Sequence, residues 1–155
     1  MAASTGPRRT FHTGHVGLNV TDLERSKRFY QNVFGFEVML ESNKESQKYV
    51  FLGDGTNILV TLFQQSDGQF DIHKPGLHHL SFQLGSVEEV KQAERELQAM
   101  KVDFLYEGVV PHAEGAESGG IFFKDPDGIR LEIYSLTGAG DRPAPVAGAP
   151  TCGFF

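Results

Sequence analysis

The feature that most constrains this chain is an internal repeat: a strand, a capped helix and three more strands, written twice. In the first half, His15-Val16-Gly17-Leu18-Asn19-Val20 alternates as a half-buried strand does. Thr21-Asp22-Leu23-Glu24 then reads as a capping box, with the Thr21 hydroxyl on the third amide and Glu24 reaching back. Leu23, Tyr30, Val33 and Phe34 share one face of the helix that follows, and Gly35 ends it. Segments 36–40, 49–52 and 57–63 read as three strands, the last two joined by a turn at Gly53-Asp54-Gly55. In the second half, His79-Leu80-Ser81-Phe82-Gln83-Leu84 is the strand and Ser86-Val87-Glu88-Glu89 the capping box. Val87, Val90, Leu97 and Met100 stripe a helix over 87–101, and strands are expected at 103–107, 120–124 and 129–134. The turn Asp125-Pro126-Asp127-Gly128 places Pro and Gly where a tight turn wants them.

A β-α-β-β-β unit of this size offers a sheet with one helix on one face, and is too small to bury a comfortable core alone. Pairing the two copies covers what each leaves open. The expected architecture is therefore α+β: modules at 14–64 and 77–136 forming one domain over 14–136, with a polar connector around Pro75. A loose N-terminal arm, 1–13, precedes it, and a tail rich in Gly, Pro and Ala, 137–155, follows. The tail has linker composition, yet it closes on Phe154-Phe155, a pair expected to pack on the body of this chain or a neighbour.

Composition removes several alternatives. The 18 glycines among 155 residues exceed the roughly 7% of an average chain, but carry no three-residue period, so a collagen helix is excluded. A net charge of −6 argues against nucleic acid and anionic membrane surfaces, which require clustered Lys and Arg. No apolar run approaches the ~20 residues of a membrane span, and Arg8-Arg9 is followed by no apolar segment of the kind a secretory signal needs. Cys152 is the single cysteine, which rules out an intrachain disulfide framework and a cysteine-rich zinc site. A reducing cytoplasm is the expected compartment.

Laying the copies on each other singles out the chemistry. Each first strand opens with a histidine, His15 and His79. The final strands align Val60-Thr61-Leu62-Phe63 with Leu131-Glu132-Ile133-Tyr134. Alternation gives Leu131 and Ile133 the apolar phase and Glu132 the other face. The same reasoning puts His15 with Gly17 and Asn19, and His79 with Ser81 and Gln83. Two neutral imidazoles and one carboxylate on rigid strands suit a borderline divalent metal, leaving coordination positions for water or substrate. His15, His79 and Glu132 are therefore the candidate metal ligands. His78, one residue out of phase, is expected on the helix side as a core or capped histidine.

The residues also resemble a known family. His15-Val-Gly-Leu-Asn-Val with Asp22-Leu23, Phe29-Tyr30 and Phe34-Gly35-Phe36, then His78-His79-Leu-Ser-Phe and Phe123-Lys-Asp-Pro-Asp-Gly-Ile-Arg-Leu-Glu132, are similar to the vicinal oxygen chelate superfamily of glyoxalases, bleomycin-resistance proteins and extradiol dioxygenases. The resemblance implies tandem βαβββ modules forming a U-shaped mixed β-sheet around a metal-binding cleft. It matches His15, His79 and Glu132 to the ligands of a divalent ion, whether Zn, Ni, Mn or Fe, and implies Lewis-acid chemistry on a small oxygenated substrate. It leaves open whether modules pair within one chain or between the two chains of a homodimer.

Departures from the family pattern narrow the chemistry. The second glutamate of a glyoxalase falls where this chain has Thr61. The catalytic tyrosine of an extradiol dioxygenase, ten residues before the glutamate, is replaced by Phe122, and His112 lies near that family's further histidine. Thr61, Phe63, His112, Phe122 and Tyr134 are the expected pocket residues. The expected function is a lyase- or isomerase-like metalloenzyme. The alternatives are a protein of the same fold that sequesters a small molecule, and an Fe(II) dioxygenase.

Overall fold

A computed structural model describes residues 9–155, so most of the expected N-terminal arm lies outside the described residues. The first module runs β1 (Val16–Val20), α1 (Leu23–Phe34), β2 (Glu37–Lys44), β3 (Gln47–Gly53) and β4 (Ile58–Gln64). The second runs β5 (Leu80–Gln83), α2 (Val87–Ala99), β6 (Val110–Pro111), β7 (Gly119–Lys124) and β8 (Arg130–Ser135). Each forms a four-stranded mixed sheet, in the orders β1-β4-β3-β2 and β5-β8-β7-β6. The α+β tandem architecture is thus present, with hydrogen bonding dividing the strands into two equivalent sheets. Among the described residues no helix is long and apolar enough to cross a membrane.

The two histidine-bearing strands occupy equivalent edges. β1 pairs in parallel with β4, setting Gly17 against Thr61, and β5 pairs in parallel with β8, setting Ser81 against Glu132. Thr61 and Glu132 are therefore structural equivalents, as are the positions of His15 and His79 two residues before Gly17 and Ser81. The other strand phase builds the core: Leu18, Val20, Val50, Leu52, Val60 and Leu62 of the first sheet join Ile121, Phe123, Leu131 and Ile133 of the second in one buried cluster.

The modules meet on their helix-bearing sides. Tyr30 of α1 is fully buried and donates its hydroxyl to Asp125 Oδ2 at 2.9 Å. Phe34 packs on Phe82 with ring centroids 4.3 Å apart. The Asp125–Gly128 turn is the other half of this joint. Asp127 accepts from the Thr21 amide at 3.1 Å and from Arg25 at 2.8 Å, and it also takes the Thr21 hydroxyl. This corrects the expected capping box: with Thr21 drawn to Asp127, the cap of α1 is Asp22, whose carboxylate accepts from the Arg25 amide at 3.0 Å. The second cap is Ser86, which accepts from the Glu89 amide at 3.3 Å.

The remaining edge also differs from expectation. In place of a strand over 103–107 there is an isolated bridge, Phe104 to Phe123, and the short β6 farther on. Gly108, at φ +72°, turns the chain between the two points where it touches β7.

Candidate metal and ligand face

With the helix-bearing faces turned toward each other, the second phase of each sheet forms the opposite face, on which Thr61, Phe122 and Glu132 are buried. On the second sheet, Glu132 lies mid-strand on β8, opposite Ser81 of β5 and Phe122 of β7. Its side chain is buried, yet no Lys or Arg among the described residues lies within ion-pair distance of it. Both carboxylate oxygens face imidazoles instead. Oε1 is hydrogen-bonded to His112 Nε2, and Oε2 lies 3.6 Å from His79 Nε2. A buried carboxylate requires compensation, and here the compensating groups are themselves metal-binding side chains.

The His79 ring is held in a defined orientation. Its Nδ1 lies 2.8 Å from His78 Nδ1, so its Nε2 is the nitrogen presented to Glu132. Burial pushes the His79 imidazole below its ordinary pKa, outweighing the pull of the Glu132 carboxylate. Neutral His79 that donates Nδ1–H to His78 has a free lone pair at Nε2, the form in which histidine binds a metal. This also corrects the place expected for His78: it is exposed and bonded to its neighbour, not packed into the core. The break comes just before β5 begins at Leu80, where strand alternation no longer governs side-chain direction.

His112 enters from the loop before β7. Its amide donates to the Ser118 carbonyl at 2.9 Å and its Nδ1 lies 2.9 Å from Ser118 Oγ, which closes the Gly-containing loop on itself. Phe122 and Tyr134 flank the histidine, with ring centroids 6.4 and 5.3 Å away. His79, Glu132, His112, Phe122 and Tyr134 thus share one face.

His15, Thr61 and Phe63 belong to the other sheet. No hydrogen bond, ion pair or ring contact among the described residues joins them to the His79–Glu132 group, and nowhere among the described residues do three His, Cys, Asp or Glu side chains converge as metal ligands. Thr61 is buried, and its hydroxyl has no hydrogen-bond partner. Phe63 packs with Tyr49 and Phe51 into an aromatic patch, beside a groove of about 340 Å³ that Tyr49 and Phe63 help to line. One chain therefore holds two proposed ligands on one face and the third on the equivalent face of the other sheet.

A further residue on the Glu132 face could not be assigned from spacing. Phe155 stacks edge-on to Phe122 at 4.8 Å and lies 5.5 Å from His79. The only signal for this in the sequence is the aromatic pair closing an otherwise linker-like tail.

A family model described as Glyoxalase/Bleomycin resistance protein/Dioxygenase superfamily matches residues 12–133. A catechol-2,3-dioxygenase from Bacillus subtilis is 28% identical over 135 residues, covering 85% of this chain, which spans only 42% of that protein's length. Among solved structures, a glyoxylase/bleomycin resistance protein/dioxygenase domain from Frankia superposes with a TM-score of 0.71 at 23% identity, covering 83% of this chain and 99% of that one. A variant of the fosfomycin resistance protein FosX of Listeria monocytogenes, complexed with Mn(II) and a dihydroxypropylphosphonic acid, superposes with a TM-score of 0.63 at 23% identity over 81% of this chain and 93% of that one.

Proposed function

Since the chain belongs to the glyoxalase/bleomycin resistance protein/dioxygenase superfamily, we propose that it is a metal-dependent enzyme acting on a small oxygenated molecule, with His79 and Glu132 of one copy and His15 of a second copy as the metal ligands. The observation that carries this reading is the buried Glu132 carboxylate, set between two imidazoles on the sheet face away from the helices with no Lys or Arg side chain in ion-pair reach among the described residues. A divalent ion supplies the missing charge and, when bound, polarises ligand oxygens and stabilises negative charge developing on them.

The residues of the chain take defined parts. Glu132 is fixed by its place between β5 and β7, so its oxygens stay aimed at that face. His78 holds the His79 ring with Nε2 toward Glu132. His112, held by Ser118, is within hydrogen-bond reach of Glu132 and of anything seated beside it. Phe122 offers a ring where a phenol would be needed to hydrogen-bond a cleaving aromatic substrate, which favours Lewis-acid chemistry over ring cleavage.

The need for a second copy follows from topology. β1 and β5 are both edge strands with one side unpaired, and an unpaired edge is a template for another strand. Setting β1 of one copy beside β5 of another brings His15 toward His79 and closes the two sheets into one cleft. Co-expression of His15→Ala and His79→Ala chains tests this. Each variant alone binds no metal, and mixed dimers regain one of their two sites. Mixed dimers as empty as their parents would rule the shared site out.

A further inference from the structure

Residues 151–155 lie across the metal face. Thr151 is fully buried, and anchors the tail beside β6 by donating its hydroxyl to the Pro111 carbonyl and its amide to the His112 carbonyl, both at 2.7 Å. Past this anchor the hold is weaker. The Tyr106 hydroxyl reaches the Thr151 and Phe154 carbonyls only at 3.4 and 3.3 Å, and the Phe154 side chain is 67% exposed. Phe155 turns inward. Its ring is surrounded by Phe122, His79, His78 and Tyr106, and the Arg130 guanidinium lies 5.0 Å from its centroid.

Arg130 explains what the cup is suited to hold. It is 5% exposed, and no Asp or Glu side chain lies within ion-pair distance among the described residues. Its guanidinium bonds only to backbone oxygens: Nε to the His78 carbonyl at 2.9 Å, and one terminal nitrogen to a Phe155 oxygen. The guanidinium nitrogen that Phe155 occupies would make a charge-assisted hydrogen bond to an anionic oxygen on a small molecule. The ring of Phe155 and its backbone oxygen thus occupy an apolar slot and an anion position side by side, directly in front of His79.

We propose that segment 151–155 is a built-in competitor for this site, and that the ligand displacing it carries a planar apolar ring and an anionic oxygen. This rests on the reading that the His79–Glu132 face is the ligand face, and it adds the ligand's chemistry and the element that competes with it. The tether through residues 137–150 keeps the plug at high effective concentration. A plug closed about nine-tenths of the time weakens apparent ligand affinity about tenfold.

The test is benzoate binding to the full chain as purified, followed by the NMR signals of the histidine ring protons. Phe155→Ala, which empties the apolar slot of its ring, binds benzoate about tenfold tighter than the parent, whereas Phe154→Ala, at the exposed neighbour, binds it as the parent does. Equal or weaker binding by Phe155→Ala would make Phe155 a fixed wall of the pocket and overturn the proposal. So would equal gains in both variants, or no binding by any of the three chains. Far-ultraviolet circular dichroism checks that the variants keep the fold. Metal content, measured on the same samples, separates the outcomes: benzoate binding decides the plug, and metal content alone decides the metal reading.

Discussion

Replacing Asp125 with Asn tests whether the joint between the modules contains a strained charge. Asp125 Oδ1 accepts from the amides of Asp127 and Ile129, both at 2.9 Å, and Oδ2 accepts from the Tyr30 hydroxyl at 2.9 Å. Despite these three bonds, burial dominates and raises the carboxyl from 3.8 to about 6, with the neighbouring Asp127 charge adding to the rise. The folded protein therefore holds the Asp125 proton more tightly than the unfolded chain does. The stability this contributes is complete below about pH 4, declines as pH rises through 4–6, and is gone above that. The difference between about 6 and 3.8, at about 1.4 kcal/mol per unit, makes the decline about 3 kcal/mol. Asn cannot ionise, yet its oxygen keeps both amide bonds and its NH2 can donate to Tyr30. Urea unfolding of the two proteins from pH 4 to 8 measures the effect. The parent should lose about 3 kcal/mol relative to Asp125→Asn across that range. A constant difference, or a parent that gains on the variant as pH rises, would show that the hydrogen bonds outweigh desolvation and refute the reasoning.

Three further outcomes follow from packing. Gly120→Ala places a Cβ 2.1 Å from the Ile133 carbonyl oxygen and 2.7 Å from Tyr134, and should cost about 1–3 kcal/mol or more in thermal or chemical unfolding because the contact is with backbone. Thr61→Val exchanges an unpartnered buried hydroxyl for a methyl group, and should raise stability by about 1 kcal/mol in the same assay. Asp127→Ala strips the Thr21 amide, the Thr21 hydroxyl and Arg25 of their shared acceptor and should cost about 2–3 kcal/mol. A Thr21→Val, Asp127→Ala double mutant should lose less than the sum of the single losses, since both remove one network.

What could be read in the sequence is what short-range periodicity controls. Alternation put Glu132 opposite to Leu131 and Ile133, and the Ser81–Glu132 register places it there. Gly35 ends α1 at φ +69°, with its amide bonded to the Gln31 carbonyl at 2.9 Å. What could not be read depends on contacts far apart in the chain. Thr21 leaves its capping role because Asp127, 106 residues away, takes its hydroxyl. His112 reaches Glu132 only through the geometry of a loop closed by Ser118. Over 103–107 the edge makes only the Phe104–Phe123 bridge, and the chain turns at Gly108 before it meets β7 again at β6. The placement of Phe155 follows from the Thr151 anchor, which no local pattern announces. The repeat identified the equivalent positions of His15 and His79 and of Thr61 and Glu132, but not which faces the helices would draw together.

The most direct test of the metal reading is the metal content of the full chain and of its His79→Ala and Glu132→Gln variants, after each has been equilibrated with Mn(II) and separately with Zn(II), then freed of unbound ion. One ion per chain is expected in the parent and essentially none in either variant, with circular dichroism unchanged. No bound ion in the parent, or the same ion content in all three proteins, would contradict the metal reading.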